Sequence, residues 1–86
     1  MAFNGWGLMM NTLIEDATKL EYLTSSSQWT KNAAEAKDFG TTGTAVAVAA
    51  QEPIADFNIV GYFPASKQFF NLVRGHGKGI HKSSAG

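Results

Sequence analysis

The sequence predicts an α+β domain, a small antiparallel sheet of about three strands with one or two short helices packed on it. Three features carry that expectation. Residues 56–63, DFNIVGYF, alternate with a two-residue period and stop at Pro64, as a strand does. Residues 41–51, TTGTAVAVAAQ, are rich in alanine, begin with threonines that can cap a helix, and end at Glu52-Pro53, where proline disfavours its continuation. The chain has 86 residues, 44% apolar and 16% charged, which suits one folded domain around a single core.

Residues 1–7, MAFNGWG, lack the basic start and sustained apolar run of a signal peptide and read as a loose segment. Residues 8–14, LMMNTLI, fit a strand face through Leu8, Met10, Thr12 and Ile14, and a helical stripe nearly as well. The strand is preferred because Glu15 to Thr18 can turn the chain into residues 19–24, KLEYLT, where Leu20, Tyr22 and Thr24 alternate with Glu21 and Leu23. A serine cluster at 25–27 reads as a loop, after which Trp29 returns to the core. Asn32 and Glu35 have the spacing of a capping box, which predicts a helical turn over 33–39 with Gly40 past its end.

The alanine-rich stretch is ambiguous, since Thr44, Val46 and Val48 also alternate with alanines as in a strand. Helix is preferred over 42–51 because small side chains let a helix approach a sheet closely. In residues 56–63, Phe57, Ile59, Gly61 and Phe63 share one face and Asn58, Val60 and Tyr62 the other. Two largely apolar faces predict a central strand, or an edge strand with one face given to a partner. Ser66 can cap a short helix over 67–74, KQFFNLVR, with Phe69, Phe70 and Val73 on one stripe. Residues 1–75 then form one domain, and residues 76–86 a flexible, glycine-rich, basic tail.

Cysteine is absent, so neither disulfides nor thiolate zinc sites reinforce the small core. Net charge is zero, but its distribution is uneven. Residues 1–56 hold all seven acids against Lys19, Lys31 and Lys37, a balance of −4, while Lys67, Arg74, Lys78 and Lys82 give the remainder +4. No apolar run reaches the roughly 18 residues that span a membrane, and the chain reads as cytoplasmic.

Catalytic constellations are not evident. His76 and His81 lie five apart among glycines with no carboxylate beside them, a poor metal pair. Gly75-His76-Gly77-Lys78-Gly79 lacks the spacing and following Ser/Thr of a phosphate loop, and Gly40-Thr41-Thr42-Gly43-Thr44 is explained by helix capping. The carboxylates fall at turns and helix starts, and Tyr22, Trp29, Phe39, Phe57 and Phe63 are core candidates. Phe69 and Phe70 differ, because adjacent aromatics on a helix cannot both turn inward and basic residues surround them. The expected function is therefore a non-enzymatic protein interaction module, self-associating or docking on another protein, with no cofactor or metal and no membrane contact. Its candidate partner-binding residues are Lys67, Phe69, Phe70, Arg74 and Lys78. The alternative is a nucleic-acid binder that uses those cations for phosphates and those rings for stacking.

Overall fold

The computed structural model of the chain describes residues 9–78, and these form a five-stranded antiparallel sheet with one α-helix against one face. The strands are β1 (Asn11–Asp16), β2 (Glu21–Leu23), β3 (Trp29–Thr30), β4 (Asp56–Phe63) and β5 (Gln68–His76), and the helix is α1 (Thr42–Ala49). Their order across the sheet is β3-β2-β1-β4-β5. The α+β class holds, with five strands where about three were expected, and with one α-helix, since the second expected helix, over 67–74, is a strand.

β4 lies between β1 and β5, as its two apolar faces require. Phe57 and Ile59 point to the helix side with Ile14 and Leu23, where Ala45 and Ala49 close over them without any side chain long enough to hold the helix away. Ile54 completes this cluster, and Trp29, Phe39, Val46 and Val48 rim it. Leu13 and Val60, paired across β1 and β4, are buried on the opposite face. The sheet therefore carries apolar burial on both sides.

The connections are held by short polar side chains. Asp16 is buried and its Oδ1 accepts from the amides of Thr18 and Lys19 at 2.9 and 3.3 Å, which fixes the β1–β2 turn. Asp38 Oδ1 accepts from the amides of Thr12 and Gly40, both at 2.9 Å, and so ties the loop before α1 to the start of β1. Thr41 caps α1 by accepting from the Thr44 amide at 3.1 Å. Asn32 caps only a single 3-10 turn, Ala33–Glu35, shorter than the helical turn expected over 33–39. Glu35 does not reach back to close a capping box, because its carboxylate accepts from the Thr30 hydroxyl at 2.8 Å. Gly40, at φ +84, serves the entry to α1 rather than the exit of that turn.

The expected helix over 67–74 is instead most of β5. Residues 64–67 form a tight loop in which the amides of Ser66 and Lys67 both donate to the Phe63 carbonyl, at 3.2 and 2.7 Å. Ser66 thus closes a hairpin and caps nothing. The strand wins because β4 offers an eight-residue partner with an open edge, whereas an isolated eight-residue helix is marginal. Near its end, Gly75 lies under the ring of Phe57, so closely that a Cβ there would sit 2.5 Å from Cζ. Beyond the strand, the Gly77 amide donates to Ala55 O at 3.1 Å and the Lys78 amide to Glu52 O at 2.8 Å. Residues 76–78, placed in the tail by composition, are bonded to the domain, and the remainder of that tail lies outside the described residues.

Phe57→Ala removes the largest fully buried side chain and is expected to cost about 3–5 kcal/mol of unfolding free energy. Gly77→Ala is expected to cost about 1–3 kcal/mol, since its Cβ would meet the backbone oxygens of Ile54 and Glu52 at 2.5 and 2.7 Å. Trp29→Ala should cost less than Phe57→Ala, because Trp29 is only partly buried on a two-residue strand. Urea titrations check all three. A Phe57→Ala midpoint equal to that of the wild type would place the core elsewhere.

Candidate functional site

β5 ends the strand order, and along its nine residues the outer edge has no partner among the described residues. It is also the longest run of exposed apolar side chains among the described residues. Phe69, Phe70, Leu72 and Val73 are 45%, 50%, 40% and 37% exposed, although a strand of this length ordinarily buries one face. The opposite edge is the two-residue β3, too short to template much pairing.

Adjacent strand residues point to opposite faces, which separates the two phenylalanines that a helix would have set on one stripe. Phe69 turns to the face away from α1 and stacks on Tyr62, with ring centroids 4.6 Å apart, and on Tyr22, at 5.9 Å. Phe70 turns to the helix side and meets Phe63 edge-on at 5.5 Å. Met10 lies beside that pair, its Sδ 2.5 Å from where a Cβ on Gly61 would be, and Gly61 is the register partner of Phe70. Only glycine at 61 lets this methionine lie down on the sheet.

The pairing of β5 with β4 contains a β-bulge. Asp56, Phe57, Asn58 and Ile59 face His76, Gly75, Arg74 and Val73, while Val60, Gly61, Tyr62 and Phe63 face Asn71, Phe70, Phe69 and Gln68, which leaves Leu72 as an extra residue. Alternation therefore shifts by one at Leu72. Gln68, Phe70, Val73 and Gly75 share the helix side, and Phe69, Asn71, Arg74 and His76 the other.

On that other face a polar row crosses four strands. Tyr22 stands opposite Glu15, Glu15 opposite Asn58, and Asn58 opposite Arg74. Asn58 Nδ2 donates to Glu15 Oε1 at 3.0 Å, and Arg74 Nε donates to Asn58 Oδ1 at 3.2 Å. Both amide functions of the buried Asn58 are thereby used. Burial pushes the Tyr22 phenol above its ordinary value, and the Glu15 carboxylate and Tyr62 add to the rise.

The candidate partner residues do not form one cluster. Phe69 and Arg74 share a face of β5 and Phe70 takes the opposite face, while Lys67 sits in the hairpin loop at φ +56. Lys78 lies past the other end of the strand, its Nζ donating to Gln51 Oε1 at 3.3 Å. The nine-residue strand, about 30 Å long at strand rise, thus lies between the two lysines. His76, read as a tail residue, is in β5 with Nδ1 2.6 Å from Asp56 Oδ1; His81 lies outside the described residues. Leu72, Val73 and Met10 join the exposed apolar surface although none is among the candidate partner residues, and the uncharged run from Gln68 to Val73 is the signal that points to the first two. Among the described residues no three potential metal ligands gather and no pocket is enclosed. No helix there is long and apolar enough to cross a membrane.

The Tyr22 phenol generates a pH prediction. Because its folded value is raised, its contribution to stability is fully present below the unfolded value, about 10, and is lost as pH rises through the higher folded value. Tyr22→Phe should lose less stability than the wild type across that alkaline window, and thermal melts taken from neutral pH upward read the difference. Parallel curves would mean that the phenol does not titrate against folding.

Compared with known proteins, the chain matches no family model, no curated protein and no solved structure, so a functional reading rests on its own side chains.

Proposed function

We propose that this chain is a non-enzymatic protein interaction module that docks through the open edge of β5, by adding that strand to a strand of a protein partner. The observation that carries the reading is a nine-residue terminal strand whose four large apolar side chains are all more than a third exposed. Such an edge offers unpaired amides and carbonyls for main-chain bonding, and flanking side chains that gain by leaving water. The packing of Gly75 under the Phe57 ring, and the bonds of Gly77 and Lys78 just past the strand to Ala55 and Glu52, hold the far end of β5 in place, so docking orders little that is not already ordered.

The nucleic-acid reading has less support. Stacking on a base needs a free aromatic face, and the Phe69 ring already stacks on Tyr62 and Tyr22. Arg74 is held by Asn58, and Lys67 and Lys78 lie at opposite ends of the strand, so no compact basic platform forms.

A photo-crosslinking side chain in place of Leu72 tests the reading. Irradiation in cell extract and in purified protein should give protein adducts that Val73→Lys abolishes. Adducts to nucleic acid alone, or none, would overturn it.

A further inference from the structure

Resting on the reading of β5 as a docking edge, we infer that its occupant is a second copy of this chain, with the two β5 strands antiparallel about a two-fold axis passing between positions 71 and 72. The bulge carries the argument. Antiparallel partners must share a face, and in a uniform strand that condition joins residues an even number of positions apart. Here the extra residue at Leu72 inverts the rule across the bulge, so that residue 69 matches residue 74, and residue 70 matches residue 73, in both face and hydrogen-bond direction.

In that register Phe70 stands against Val73 of the second copy, and Val73 against its Phe70. These exposed apolar groups cover one another on the helix side. On the other side Phe69 meets the second copy's Arg74, whose aliphatic stem can pack along the ring while its guanidinium stays with Asn58. Lys67 comes opposite His76 of the second copy, beside the half-exposed Asp56 carboxylate that this histidine holds. The only cation in the hairpin loop thereby meets an acid. The two Arg74 residues lie five positions out of register, about 17 Å apart, beyond the ~8 Å screening length of physiological salt. A register moved by two positions would also keep faces matched, but it sets Phe70 against Gly75, which the Phe57 ring already covers.

Symmetry selects this occupant over a head-to-tail array. Pairing β5 with itself closes, leaving only the two-residue β3 edges among the described residues, whereas pairing β5 with β3 would propagate without end through a two-residue contact. An interface of one strand pair is at the small end of specific contacts, so a weak, concentration-dependent dimer is expected.

Sedimentation velocity over about a hundredfold range of protein concentration should show the mass rising from 9.2 kDa toward twice that value. Val73→Lys and Phe70→Lys should each weaken dimerisation at least about tenfold while keeping the wild-type circular dichroism, and Leu20→Lys, at an exposed site remote from β5, should leave it unchanged. The chain has no cysteine, so introduced pairs report the register. Mixing Phe70→Cys chains with Val73→Cys chains under air oxidation should give a disulfide-linked dimer, and either variant alone far less, because like positions lie about 10 Å apart. A wild type that stays monomeric at every concentration, or a dimer that the mixed cysteines do not trap, overturns the second copy as occupant. If Leu72 still crosslinks to another protein in extract, the docking edge stands without it; if those adducts are also missing, both fall.

Discussion

Burial of β4 on both of its faces is the constraint on which the rest of the structure depends. Six consecutive residues, Phe57 to Tyr62, are removed from water, and burying each large apolar side chain among them contributes roughly 1.5–3 kcal/mol. A strand cannot be buried on two faces unless it also has neighbours on both edges, since its own amides and carbonyls would otherwise lie unpaired in an apolar setting. β1 and β5 supply those neighbours. α1 then covers one face, and its alanines matter because they let the helix come down onto Phe57 and Ile59.

The face away from the helix is closed differently. Leu13 and Val60 lie on it, and the rings of Tyr22, Tyr62 and Phe69 stack across it from β2, β4 and β5. Beside these rings, hydrogen bonds from Arg74 to Asn58 and from Asn58 to Glu15 tie β5, β4 and β1, with Tyr22 across from Glu15 at the end of the row. The phenol of Tyr22 belongs to both systems, and this shared position is why burial and Glu15 act on it together. Phe69 is thus chiefly a structural residue, despite being nearly half exposed. Outside these two systems, the apolar side chains of β5 that stay exposed are Phe70, Leu72 and Val73.

The elements legible in the sequence were those with a single strong period or a definite stop. Residues 56–63 were read with the bounds β4 has, and the helix after Thr41 was found because a capping threonine, helix-favouring alanines and a terminating proline agree. β1 and β2 were displaced by two to three residues at their starts, as expected where apolar runs carry no sharp boundary. β3 was too short to have a period, although Trp29 was placed at the sheet or its edge. The main error, a helix over 67–74, arose from the bulge. Inserting Leu72 breaks strict alternation and makes Phe69, Phe70 and Val73 look helical. Residues 67, 69, 70 and 74, read as parts of one helix, instead lie on or just before an extended strand, and Lys78 lies past its end. A cluster became an edge.

A bulge on an edge strand usually blunts it, because added twist turns the unpaired groups away from any flat partner. Charge placement decides how complete that protection is here. Lys67 stands before β5, Arg74 and Lys78 at and past its far end, and no charge falls between Gln68 and Val73. An edge designed only to repel would carry a lysine in its middle, where every approaching strand must pass. With the cations at the ends and the apolar groups at the centre, the edge penalises long or shifted pairings while leaving a short central one open. The bulge adds to that selection, because a regular partner such as β4 must leave Leu72 unopposed, whereas a strand related to β5 by a two-fold axis sets one bulge against the other.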